Sequence, residues 1–143
     1  MALATVFYNR RDHPRTMAAL DNGRNVLAGD AAYWHLLGFI GQREGRWRDA
    51  EAAFTKAFDL DAPATAEWLA VHFLHLRQYA DARRVLAVAQ ASNRTAAVVP
   101  DAWTRFSERA DIAGARPVLE VALVGRTPPD ARVLGLLAQF EWF

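Results

Sequence analysis

The sequence predicts an all-α fold on three observations. No stretch keeps the strict apolar–polar alternation of a half-buried strand. The segment from Trp34 to Leu60 repeats in Leu69 to Gln90: Trp47 aligns with Tyr79, Ala50 with Ala82, Phe54 with Leu86 and Ala57 with Ala89, an offset of 82 minus 50, or 32. A fainter third copy places Ala115, Leu119 and Ala122 on the same small–large–small pattern, at 115 minus 82, or 33. Finally, Gly and Pro fall between the periodic stretches, where helices stop and start. Self-similarity at such a period marks a chain built from repeated supersecondary units.

Each element follows in order. Residues 1–30 read as a degenerate leading repeat: Phe7 and Tyr8 end a short helix, His13 and Pro14 open another, and Met17, Leu20 and Leu27 form its buried stripe. Asn22 and Gly23 weaken that helix. Residues 31–62 form the clearest unit. Gly38 and Ala50 are small where two helices cross closely, Leu37, Phe54 and Phe58 fill the space around them, and Gly45 suits the turn between. Pro63 opens the next unit, residues 63–95, where its missing N–H costs little. That unit keeps Leu69, Ala70 and Phe73. In residues 96–127, Pro100 and Asp101 open a helix holding Ala102, Trp103 and Phe106, and the next helix is expected to start near Gly114 so that Pro117 lies in or near its first turn. Residues 128–143 begin with Pro128 and Pro129 and form a last helix, with Val133, Leu134, Leu137 and Phe140 as its capping face.

The chain has 143 residues, the size of one domain, with 52% apolar and 23% charged residues. That balance excludes intrinsic disorder, and no charge-free stretch approaches the length of a membrane span. Seventeen basic and sixteen acidic residues leave a formal charge of +1, which supplies no broad attraction for nucleic acid. The chain has no cysteine, so a disulfide framework, a thiolate metal site and a cysteine nucleophile are excluded. The N-terminal segment meets charge too early for a signal peptide, so a cytoplasmic location is expected.

Trp34, Leu37 and Gly38, then Ala50, Phe54 and Ala57, followed by Pro63, resemble the tetratricopeptide repeat. That resemblance covers about Ala31 to Val124 and implies a right-handed helical solenoid of three helix-turn-helix repeats with flanking helices and a concave groove. The family's ligand-contacting places would be Ala32, His35, Phe39, Gln42 and Arg43 in the first repeat, and Ala64, Glu67, Val71, Leu74 and His75 in the second. In the third they would be Ala97, Pro100, Thr104, Ser107 and Glu108. The Lys, Asn and Arg set of carboxylate-clamp members is missing from these places. The run from Leu37 to Ala50 is also similar to bacterial type III secretion chaperones of this class, which implies a client held in the cytoplasm before export.

The residues point to no catalytic or metal site and no cofactor. His72 and His75 share a helix face without a third ligand at a suitable spacing, and read as partly exposed groove residues. His13 and His35 lack a Ser or carboxylate partner set. Neither G-x-G-x-x-G nor G-x4-G-K-[ST] occurs, so nucleotide phosphate lacks its loop. The expected function is therefore non-catalytic recognition of a protein or peptide. Phe39, Val71 and Leu74 would act as apolar anchors, with Gln42, Arg43 and His75 fixing orientation, unless the apolar three pack against neighbouring helices. Phe140, Trp142 and Phe143 make a second apolar surface for a partner, a second copy or the body of the domain, unless the natural protein continues past Phe143. The alternative function is an assembly scaffold or adaptor subunit, self-associating as a homodimer through its last helix.

Overall fold

A computed structural model describes residues 2–91, 98–124 and 131–140, and all side chains in those ranges except those of residues 2, 3 and 140. Those residues are mainly helical and carry no strand. The helices are α1 (Ala2–Asn9), α2 (His13–Leu27), α3 (Ala31–Arg43), α4 (Trp47–Leu60), α5 (Ala62–His75), α6 (Tyr79–Ala91), α7 (Val98–Arg109), α8 (Ile112–Leu123) and α9 (Ala131–Phe140). The expected junction at residues 95 and 96, and Pro128 and Pro129, lie outside the described residues. The chain forms two compact units, Met1–Trp68 and Leu69–Phe143, whose boundary falls inside α5.

Aspartates start four of the helices. The carboxylates of Asp12, Asp30, Asp61 and Asp111 accept the backbone N–H of Arg15, Ala32, Ala64 and Gly114 at 3.2, 2.8, 3.1 and 2.7 Å. Each satisfies a donor that the first helical turn leaves without a partner, worth about 1 kcal/mol.

Four tight turns share one backbone device. Arg11, Gly45, Arg77 and Ala110 have φ of 59°, 71°, 57° and 53°, the left-handed region. Arg11 to Gly45 spans 34 residues, Gly45 to Arg77 spans 32 and Arg77 to Ala110 spans 33. At the first three, the N–H of the following residue closes onto the carbonyl five places earlier: Asp12 to Phe7, Arg46 to Gly41 and Gln78 to Phe73, at 2.9, 2.8 and 2.9 Å. These bonds stop a helix by satisfying its last carbonyls. The fourth turn uses a shorter closure, Ala110 N–H to Phe106 C=O at 2.8 Å.

In the first unit, α1 packs on α2, and α3 on α4. Leu20 and Ile40 are fully buried, and Tyr33, at 2% exposure, nearly so. Gly38 makes the α3–α4 approach possible, since a Cβ there would lie 2.6 Å from the Phe54 ring; at Gly41 it would lie 3.1 Å from the Ala50 backbone nitrogen. Trp34 packs beside this core and donates its indole N–H to the Ala28 carbonyl at 2.8 Å. Trp47 is 41% exposed, because it is the first residue of α4, before that helix meets α3 at Ala50.

In the second unit, α7 packs against α6, α8 and α9. Its core unites Ala102, Ala115, Leu119, Ala122, Val133 and Leu136. Helix α8 begins at Ile112, two residues before the expected Gly114, because Asp111 captures the Gly114 N–H and sets the start. Pro117 consequently lies beyond the first turn, on an exposed side of the helix where water can take the carbonyl that its ring leaves unbonded. Pro100 lies in the first turn of α7, which starts at Val98. On α9 the buried pair is Val133 and Leu136, whereas Leu134 is 44% exposed. Three-residue spacing brings 133 and 136 to one face; 134 is turned about 100° away from 133.

Candidate functional site

The residues that chemistry singles out gather in the first unit, on α3. His35, Phe39 and Arg43 are spaced four apart, so they rise along one face of that helix. Helix α1 contributes Tyr8, α4 contributes Phe54, and the first part of α5 contributes Trp68.

Aromatic rings pack around Phe39. Its centroid lies 4.6 Å from His35, 5.2 Å from Trp68, 5.4 Å from Phe54 and 6.1 Å from Tyr8. The Phe54 and Trp68 contacts are edge-to-face, at 87° and 73°, the arrangement that aligns a ring's positive edge with its neighbour's negative face. Phe54 is almost fully buried and forms the floor. Tyr8, His35, Phe39 and Trp68 are half-buried and keep part of their surface in solvent.

Two electrostatic features define this cluster. The His35 imidazole lies 5.3 Å from the Trp68 ring, its buried Nε2 has no hydrogen-bond partner, and burial lowers its pKa to about 4. At neutral pH the ring is uncharged and behaves as one more aromatic. The exposed guanidinium of Arg43 stands over the Tyr8 ring, 4.2 Å from its centroid. Burial raises the Tyr8 pKa, and the Arg43 charge partly opposes that shift.

The remaining groove residues of the sequence reading fall as follows. Gln42 and Glu67 are half-buried, and Ala32 and Ala64 are exposed. In the second unit Val71 is half-buried, Leu74 is buried at 8% exposure, and His75 is exposed. His72, expected to be partly exposed, is fully buried, because it lies on the same side of α5 as Leu69 and Phe73. Its pKa is lowered by burial and then by the nearby His75. Pro100 and Thr104 are buried, Ser107 is exposed, and Glu108 pairs with Arg83. Ala97, Trp142 and Phe143 lie outside the described residues, as does the side chain of Phe140 at the end of α9.

Sequence reasoning missed Tyr8 and Trp68. A period of 32 carries His35 onto Glu67, whereas the third copy's period of 33 carries it onto Trp68. One residue of slip turns a helical side chain by about 100°, so that choice of period decides whether a carboxylate or an indole joins the cluster. Tyr8 is too far from α3 in sequence for any local pattern to link them.

A second surface lies in the other unit, where Val99 and Trp103 of α7 face Gly135, Leu136 and Gln139 of α9 across a cleft of about 390 Å³. Trp103 is 38% exposed and its ring is tilted against Phe106 at 5.5 Å. Among the described residues no three His, Asp or Glu side chains converge as a metal site, and no helix is long and apolar enough to cross a membrane.

Fold and site together define an all-helical protein of consecutively packed helices with a part-exposed aromatic cluster on one of them. No protein-family model, curated protein or solved structure matches the chain.

Proposed function

We propose that the chain is a non-catalytic protein-binding module of tetratricopeptide type, and that the α3 surface of its first unit holds a segment of a partner protein. The observation that carries this reading is the cluster of His35, Phe39 and Trp68, three aromatic rings in mutual contact that keep part of their area in water. Aromatic side chains in a rigid setting are the usual anchors of protein recognition, because they bury a large area at little entropic cost. The reading is also supported by the left-handed turn residues, which recur at 32 to 34 residues and so carry the repeat period into the backbone. The similarity to type III secretion chaperones makes an exported client held in the cytoplasm the first partner class to test.

The full chain serves as bait in a lysate of its own cells, alongside Phe39→Glu. A captured protein is then re-expressed and titrated against both. Wild type should bind it, and the variant should bind at least ten-fold more weakly while its helical circular dichroism is retained. Undiminished binding by a folded Phe39→Glu would overturn the assignment.

A further inference from the structure

The partner's chemistry can be narrowed from the charge of the α3 surface, an inference that rests on the protein-binding reading above. Arg43 is exposed, and among the described residues its guanidinium makes no ion pair or hydrogen bond; its one recorded contact is the face of Tyr8. Glu44, its neighbour in sequence, is taken by Arg46, which also holds Asp49. Face contact with an aromatic ring uses the π surface of a guanidinium and leaves its N–H donors at the edge, where a carboxylate can accept two of them. Tyr8 in turn is held 6.1 Å from Phe39, so the cation stands at the border of the aromatic cluster. His35 adds no charge at neutral pH, and Glu67 is the only acidic residue among the expected groove positions of the first two repeats.

We propose that this surface selects partner segments in which an aromatic or large aliphatic side chain lies next to a carboxylate, the apolar group against Phe39 and Trp68 and the carboxylate on Arg43. Tyr8 acts as a positioning residue that restricts where the guanidinium can go. A guanidinium already held in place loses less freedom on binding than a free one, so the acidic preference should be a property of the pair and not of Arg43 alone.

The test is selection of a random peptide library displayed on phage against the full chain, followed by titration of the best synthetic peptide. Enriched peptides should carry Asp or Glu within one or two residues of Phe, Trp, Leu or Met. Arg43→Glu should weaken the best peptide at least ten-fold, and changing that peptide's acid to Lys should restore binding to Arg43→Glu while weakening binding to wild type. Tyr8→Leu should reduce the preference for the acidic over the lysine peptide several-fold and leave the apolar preference in place. Enrichment that depends on Phe39 but shows no acid preference, or no rescue by the charge swap, overturns this inference and leaves the protein-binding reading intact. Absence of any Phe39-dependent enrichment overturns both.

Discussion

The α3–α4 pair of the first unit and the α7–α8 pair of the second solve the same packing problem with different materials. In the first, Gly38 and Gly41 let the helices close, and the Phe54 ring occupies the space that a Cβ at Gly38 would need. In the second, Ala102 and Ala115 are the small residues at the contact, and Leu119 fills between them. Their turns differ in the same way, with Gly45 adopting the left-handed conformation freely and Ala110 adopting it against the clash of its Cβ. The two helix pairs therefore share small residues and left-handed turn geometry, and differ in the large filler. The aromatic filler has a consequence that the aliphatic one lacks, since its rings continue outward through Phe39 to His35 and Trp68.

Removing that filler should produce the largest effect. Phe54→Ala is expected to cost about 3–5 kcal/mol in urea unfolding. Gly38→Ala should cost about 1–3 kcal/mol in the wild type and much less in the Phe54→Ala background, because the clash it creates is with that ring. Equal costs of Gly38→Ala in both backgrounds would mean that glycine serves something other than close approach.

Acid should act next, through the buried imidazoles. Both His35 and His72 have pKa values below the usual 6.5, so the unfolded chain binds more protons than the folded one as pH falls. The His35 contribution to stability is complete above about pH 6.5 and lost as pH drops through about 4, and the partial exposure of the ring keeps it below the ~3 kcal/mol that 1.36 kcal/mol per pKa unit would give; His72 acts in the same direction. Thermal melts from pH 7 to 4 should show a steeper fall for wild type than for His35→Phe, which keeps the aromatic ring and removes the proton site. Parallel curves would count against burial of the neutral imidazole.

The smallest effect concerns the turns. Arg77→Gly and Ala110→Gly should each raise stability by about 1 kcal/mol by relieving a left-handed non-glycine residue, whereas Gly45→Ala should lower it by a similar amount. Denaturant midpoints measure all three, and a loss of stability in Arg77→Gly would show that its side chain contributes more than its backbone costs.

Much of this was legible along the chain. Period, small residues and proline positions anticipate helices between residues 31 and 91, because helices announce themselves through neighbours three and four residues apart. Boundaries were less legible. Whether α8 starts at Ile112 or Gly114 depends on which residue caps it, and Asp111 wins through a hydrogen bond that spacing alone does not rank. The candidate site was half legible: His35, Phe39 and Arg43 follow from one helix face, whereas Tyr8 and Trp68 join them only after the chain returns twice.

The helical class, the pattern recurring near every 33 residues and the α3 face that carries His35, Phe39 and Arg43 can be read along the chain, since all of these rest on local periodicity. Packing between helices is what brings Phe54 and Trp68 edge-to-face onto Phe39, stands Arg43 over Tyr8, holds His35 neutral and buries His72. Those outcomes depend on which surfaces exclude water and which rings meet across helices, and no pattern within one helix contains that information.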